Sequence, residues 1–149
     1  MKISNSGIEL IKKFEGFRGV AYQCPAKVWT IGYGATYYAN NKRVVPGDTI
    51  TEEQATVLLK TLSDRNYALP VDKMTRDDIT QNQFDALVSL AYNIGVGNFQ
   101  KSTVLRLVNK NPNDPKIAEA FMMWNKVNGK EVLGLTRRRK EESKLYFTV

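Results

Sequence analysis

Histidine does not occur in this chain of 149 residues. Its absence rules out Ser-His-Asp triads, Cys-His nucleophile pairs and His-ligated zinc. Cysteine occurs once, at Cys24, so there is no intrachain disulfide and no thiolate cluster. No apolar run approaches the roughly 20 residues that cross a bilayer. The opening MKISNSGIELIKK returns to charge too soon for a secretory apolar region. The expectation is a chain with no membrane span, signal peptide or export anchor. Internal repeats and low-complexity linkers are also lacking. What remains for chemistry is carboxylates, lysines, tyrosines and one thiol, an inventory on which glycoside hydrolysis runs.

Hydrophobic residues make up 42% of the chain, enough for a single globular domain with a real core. The net charge of +7 favours polyanionic partners. Nucleic acid and the bacterial wall, with its peptide carboxylates and phosphates, both qualify, and charge alone does not choose between them. The run Arg137-Arg138-Arg139-Lys140 suggests a nucleic-acid patch. On a helix, however, successive residues point about 100° apart, so the four cannot serve one phosphate track.

The stretch from Glu15 to Thr30 organises the reading. Ser6-Gly-Ile-Glu9 has the form of a capping box, and Ile8, Leu10, Ile11 and Phe14 follow at helical spacing. Glu15 then falls in the last turn before Gly16, beside an apolar ring, a setting that suits a general acid. Two short β-like runs follow, carrying Cys24 and Thr30, and they predict a small hairpin folded over the helix end. Residues 35–50 are polar and turn-rich, with Val44-Val45 as a candidate last strand. Thr51-Glu-Glu-Gln54 and Thr80-Gln-Asn-Gln83 are further capping boxes. The first opens a helix running towards Tyr67 or Leu69, which Pro70 is expected to break. The second opens an apolar helix from Phe84 to Ile94, the expected buried centre, ended by Gly95. Gly95-Val-Gly97 reads as a turn into Ser102, a helix cap. Asp114-Pro115 starts another helix, with Ile117, Ala120, Phe121, Trp124 and Val127 on one face and Asn128-Gly129 stopping it. Thr136 is expected to cap the last helix, which ends near Phe147.

Glu15, Cys24 and Thr30, followed by Ile31-Gly32-Tyr33-Gly34, resemble the catalytic signature of phage-type lysozymes, glycoside hydrolase family twenty-four. The middle position in that family is Asp or Cys. The resemblance extends through Gln83 to Leu90 with Asn93-Ile94-Gly95, then Phe99, Ser102-Thr103 and Leu105, then Phe121 with Trp124, and finally Gly134-Leu135, Arg137-Arg138-Arg139 and Glu141. It implies an α+β, mostly helical fold with two lobes, a small β-hairpin lobe and a larger helical lobe joined by a long helix. One catalytic domain spans residues 1–149. The small lobe is expected at about 14–58, and the helical lobe at about 1–13 and 70–149.

The resemblance also implies a function. The chain would be an endolysin, a muramidase cutting peptidoglycan between N-acetylmuramic acid and N-acetylglucosamine. Glu15 would be the acid, with Cys24 and Thr30 completing the catalytic set. Cys24 would activate water and invert the anomeric centre, or act as a nucleophile and retain it. Lys27 is a nearby cation that would favour the thiolate. Tyr92 and Ser102 match positions lining the substrate cleft, with core packing and helix capping as their ordinary alternatives. One arginine would pair with the acid: Arg137 by alignment through Gly134-Leu135, with Arg138 the next choice. Trp29, Trp124 and Phe121 read as core. Where several relatives have histidine after Gly34, this chain has Ala35, which alters the cleft wall. No metal or organic cofactor is implied. The expected setting is a monomer held in the host cytoplasm, dependent on a holin to reach the periplasmic wall, and not binding nucleic acid. The competing classes are a basic nucleic-acid-binding protein and a non-catalytic wall-binding domain.

Overall fold

The computed structural model describes all 149 residues. Helix α1 covers Asn5–Glu15, strands β1 and β2 cover Arg18–Gln23 and Trp29–Gly32, and helix α2 covers Glu52–Ser63. Next come a π-helical turn at Asp64–Ala68, α3 at Leu69–Met74, α4 at Gln81–Ile94, α5 at Val96–Gln100, α6 at Thr103–Lys110 and α7 at Lys116–Met122. A hairpin of β3, Lys126–Val127, and β4, Lys130–Glu131, leads into α8, Leu133–Tyr146. The molecule is α+β and mostly helical.

The two predicted capping boxes at Thr51 and Thr80 both form, each with reciprocal side-chain bonds to the third helical residue. The box at Ser6 does not. Helix α1 starts earlier, with Ser4 as its N-cap and no side-chain bond to its first-turn amides, and Ser4 itself is held from elsewhere in the chain. The Ser4 N–H and hydroxyl both donate to the buried carboxylate of Asp85, from α4. That long-range acceptor seats the start of α1 on the central helix.

Pro70 does not break its helix. From Glu52 to Met74 the chain stays helical, because the wider π turn carries it into α3, where Pro70 takes a first-turn position. There its missing N–H and its ring are tolerated. The Leu69 N–H reaches back to the Asp64 carbonyl, the longer step of a π turn.

Helix α4 is the centre of the fold, with every residue from Gln83 to Ala91 buried. It packs against α1, α3, α5 and α8. The main apolar cluster gathers around Phe84, Leu87, Leu90, Phe99 and Phe121. A second, smaller cluster of Ala21, Ile31, Ala35, Val44 and Leu58 lies under the β1–β2 hairpin. Phe121 is fully buried, and Trp29 and Trp124 pack against the two clusters, as core rather than cleft residues.

Several local expectations need correcting. Val44-Val45 forms no strand; the pairings nearby are isolated bridges, Tyr37 with Arg43 and Thr49 with Val20. Gly95-Val-Gly97 leads into α5, not a plain turn. Asp114 does accept from the Lys116 N–H at 2.9 Å, but the helix after it stops at Met122. Val127 is exposed on the second hairpin. Asn128 and Gly129 both take positive φ, 52° and 78°, the requirement of a tight hairpin turn that Asn-Gly meets at little cost. Thr136 is not a cap; α8 begins at Leu133, and the Thr136 hydroxyl accepts from Asn125 at 3.2 Å.

Candidate active site

Helix α1 ends at Glu15, with Gly16 turning the chain into β1. The hairpin folds back so that Thr30, on β2, is buried and paired in register with Tyr22. Cys24 follows β1 in a tight turn closed by the Lys27 N–H to Cys24 O bond at 2.7 Å and the Cys24 N–H to Val28 O bond at 3.0 Å. That turn places backbone amides at the sulfur. The thiol lies below its ordinary range, mainly because of the Val28 amide, with help from the Ala26 amide. The expected influence of Lys27 is not the cause. The Thr30 Oγ1 itself donates to Val28 O at 2.9 Å, which leaves its lone pairs free to accept.

Glu15 is held from the opposite end of the chain. Its Oε2 meets Arg138 Nη1 at 3.3 Å. Arg138, not Arg137, is therefore the paired arginine. Arg138 is 3% exposed. Its Nε binds Glu142 Oε2 at 3.2 Å and its Nη2 binds Ser89 O at 3.3 Å. Ser89 donates to the same Glu142 oxygen at 2.5 Å. Arg139 approaches Glu142 Oε1 at 2.9 Å. The angle is too poor for a hydrogen bond, so this is a charge contact. Its Nη2 donates to Asn93 at 2.6 Å. Burial pushes the Glu142 carboxyl up, and the two guanidiniums pull against it. Arg137 faces solvent because α8 packs the face that carries Arg138, Arg139, Glu142 and Tyr146 against the core. With Arg138 and Arg139 buried and Arg137 and Lys140 outside, the run forms no continuous basic face.

The other oxygen of Glu15 faces the β2 turn. A methyl group added to Gly34 would stand 3.8 Å from Glu15 Oε1 and 3.4 Å from Tyr92 Oη, at φ +93°. Both distances are ordinary van der Waals contacts, so it is the backbone angle that calls for glycine there. Tyr92 donates to Tyr33 O at 2.7 Å and stacks tilted on Tyr67, ring centres 4.9 Å apart. Burial and then the Glu15 charge push both phenols up. Beyond them opens a cavity of about 450 Å³ lined by Gly34, Tyr37, Arg65, Asn66, Tyr67 and Tyr92, among others.

A family profile described as Phage lysozyme matches residues 12–142. The chain belongs to the phage lysozyme family. It is 45% identical over 150 residues to an endolysin of Bacillus phage B103, an alignment covering 99% of this chain and 55% of that protein. It is 43% identical over 150 residues to an endolysin of Acyrthosiphon pisum secondary endosymbiont phage 1, with 98% of each covered. The chain thus spans about half of the first relative and nearly all of the second. Among solved structures, the muramidase domain of SpmX from Asticaccaulis excentricus superposes with a TM-score of 0.87 at 39% identity, covering 99% of both chains.

In this lysozyme fold the sequence-predicted residues divide. Glu15 and Tyr92 lie together at Gly34, and Cys24 and Thr30 lie together on the hairpin. Ser102 stands apart: it is buried, accepts from the Leu105 N–H and donates to Phe99 O, so it caps α6 and does not face the cleft. Ala35 exchanges two backbone bonds with Ile31 at 2.8 and 2.9 Å, and its side chain joins the small cluster while lining the cavity. Sequence reasoning missed Ser89, Glu142, Arg65 and Tyr67. A signal existed for Glu142, since Leu135, Arg139, Glu142 and Tyr146 follow the spacing of one helix face.

Proposed function

We propose that this phage lysozyme is a muramidase of the endolysin type, hydrolysing the β-1,4 bond between N-acetylmuramic acid and N-acetylglucosamine in peptidoglycan. The observation that carries the reading is the two-sided setting of Glu15. One carboxyl oxygen is engaged by Arg138 at 3.3 Å. The other is turned to the open side at Gly34, where it can deliver a proton to the leaving glycosidic oxygen. Cys24 and Thr30 serve the second half of the reaction. Thr30 accepts from a water, and the Cys24 thiolate takes that water's proton as it attacks the anomeric carbon. The product anomer is inverted. Binding energy comes from the cavity beyond Gly34 and Tyr92, and the net charge of +7 concentrates the protein on an anionic wall.

The setting we infer is host lysis at the end of a phage cycle. The enzyme waits in the cytoplasm as a monomer and meets the wall after a holin opens the membrane. Its small lobe, residues 14–58, and helical lobe, residues 1–13 and 70–149, close over the glycan between them. No helix is long and apolar enough to cross a membrane.

The test compares wild type with Glu15→Gln on outer-membrane-permeabilised Gram-negative cells, following turbidity and new reducing ends. Wild type clears and releases reducing ends, while the variant loses about 10²–10⁴-fold in rate. Clearing by both variants, or clearing without reducing ends, sinks the reading. Proton NMR of the first-formed anomer checks inversion, and a retained anomer moves Cys24 to the nucleophile's role.

A further inference from the structure

We propose that Arg65 reads a carboxylate of the substrate, making the cavity beside Glu15 a specificity pocket for the peptide stem of peptidoglycan. The proposal rests on the muramidase reading above. Arg65 is the one charged side chain lining the 450 Å³ cavity. None of the ion pairs in the molecule includes it. It is nevertheless held in place. Its Nη1 donates to Ala39 O at 3.1 Å and to Asn41 Oδ1 at 3.4 Å, across from the loop after β2. Those two bonds use one end of the guanidinium and leave Nε and Nη2 without protein acceptors. The free edge is the side-on fork, whose two parallel N–H groups match a carboxylate bidentately.

Its position is set by the π turn. Arg65, Asn66 and Tyr67 are successive residues of that turn, and all three line the cavity. π turns of this kind are frequent at functional sites. The cavity also shares Gly34 and Tyr92 with the surroundings of Glu15, so a glycan cut at Glu15 extends past this wall. The glycan strand of peptidoglycan is itself uncharged wherever the muramic lactyl group is amide-linked to its stem. The free carboxylates are on the stem. An anchored, unpaired guanidinium in a cavity with no acidic side chain therefore selects the stem rather than the sugar.

The test uses one wall preparation in two forms, native and with its carboxylates converted to primary amides by carbodiimide and ammonia. For wild type, kcat/KM measured by reducing ends falls about tenfold on amidation, the scale of one charge-assisted hydrogen-bond pair. In Arg65→Gln the ratio between the two walls collapses towards one, mainly through KM on the native wall. Arg65→Lys keeps part of the ratio. Lys110→Gln removes an equal charge from an exposed position outside the cleft and keeps the wild-type ratio. The proposal is overturned if Arg65→Gln retains the full ratio. It is also overturned if Lys110→Gln collapses the ratio equally, since the effect is then net charge. Should wild type release no reducing ends from either wall, the muramidase reading fails and takes this proposal with it.

Discussion

Glu15 and Cys24, the two residues proposed above for the chemistry, are held in place by opposite means. Glu15 is tied to residues more than seventy positions away. Arg138, Glu142 and Ser89 form a buried polar network between α8 and α4, and Glu15 is its partly exposed end at Arg138. Cys24 is held by its immediate neighbours, in a partly exposed turn closed by its own backbone bonds to Lys27 and Val28, with the Ala26 and Val28 amides favouring its thiolate. The difference teaches how each depends on the fold. The orientation of Glu15 is a property of the packed helical core, whereas the thiol's environment survives in any state that preserves a five-residue turn.

The strongest test of that contrast is Glu142→Ala. Removing one partner of a buried pair strands two guanidiniums, and the expected cost is about 3–5 kcal/mol in urea unfolding, with lysis falling as Arg138 is released. A loss below about 1 kcal/mol would show that the acid is not anchored through the core. The thiol gives the next effect. Its alkylation by iodoacetamide should follow a midpoint below the ordinary thiol value of about 8.5. That midpoint should persist in urea concentrations that loosen α8 but not the hairpin. A midpoint at or above 8.5 breaks the local account.

Asp48 sharpens the comparison from the hairpin side. The Tyr38 hydroxyl at 2.7 Å and then the Val45 amide at 3.1 Å hold its carboxyl below the usual range. A depressed folded pKa contributes stability above the unfolded value of about 3.9, lost as pH falls through the folded value. The urea midpoint should therefore drop more between pH 5 and pH 3 in wild type than in Asp48→Asn; equal drops would remove Asp48 from the account. The smallest effect belongs to Arg137→Ala. Exposed and beside two buried arginines, it should change stability by no more than about 0.5 kcal/mol, and a large loss would mean that α8 is phased differently.

The same division explains what could be read in advance. Features set by nearby residues were legible: the capping boxes at Thr51 and Thr80, the Glu15-Gly16 helix end and the short hairpin carrying Cys24 and Thr30. Features set by distant partners were not. Ser4 is held by Asp85, so helix α1 starts ahead of the Ser6 box. Pro70 is accommodated because the preceding turn widens, which no local propensity announces. The choice among Arg137, Arg138 and Arg139 is a choice of helix phase, fixed by how α8 packs on α4 and α7. The second hairpin was a local feature overlooked, since Asn128-Gly129 is a strong turn signal. Ser102 shows that one hydroxyl can match a cleft pattern while its bonds belong to a helix end.

Gly34 is solvent-exposed and outside both apolar clusters. Any map of mutational tolerance drawn from burial would mark it as free to vary. Yet its φ of +93° is one that side-chain-bearing residues rarely adopt, and it lies where Glu15 and Tyr92 meet. A diversified library of this enzyme would find an intolerant position on the surface, where the constraint is a backbone angle and not burial.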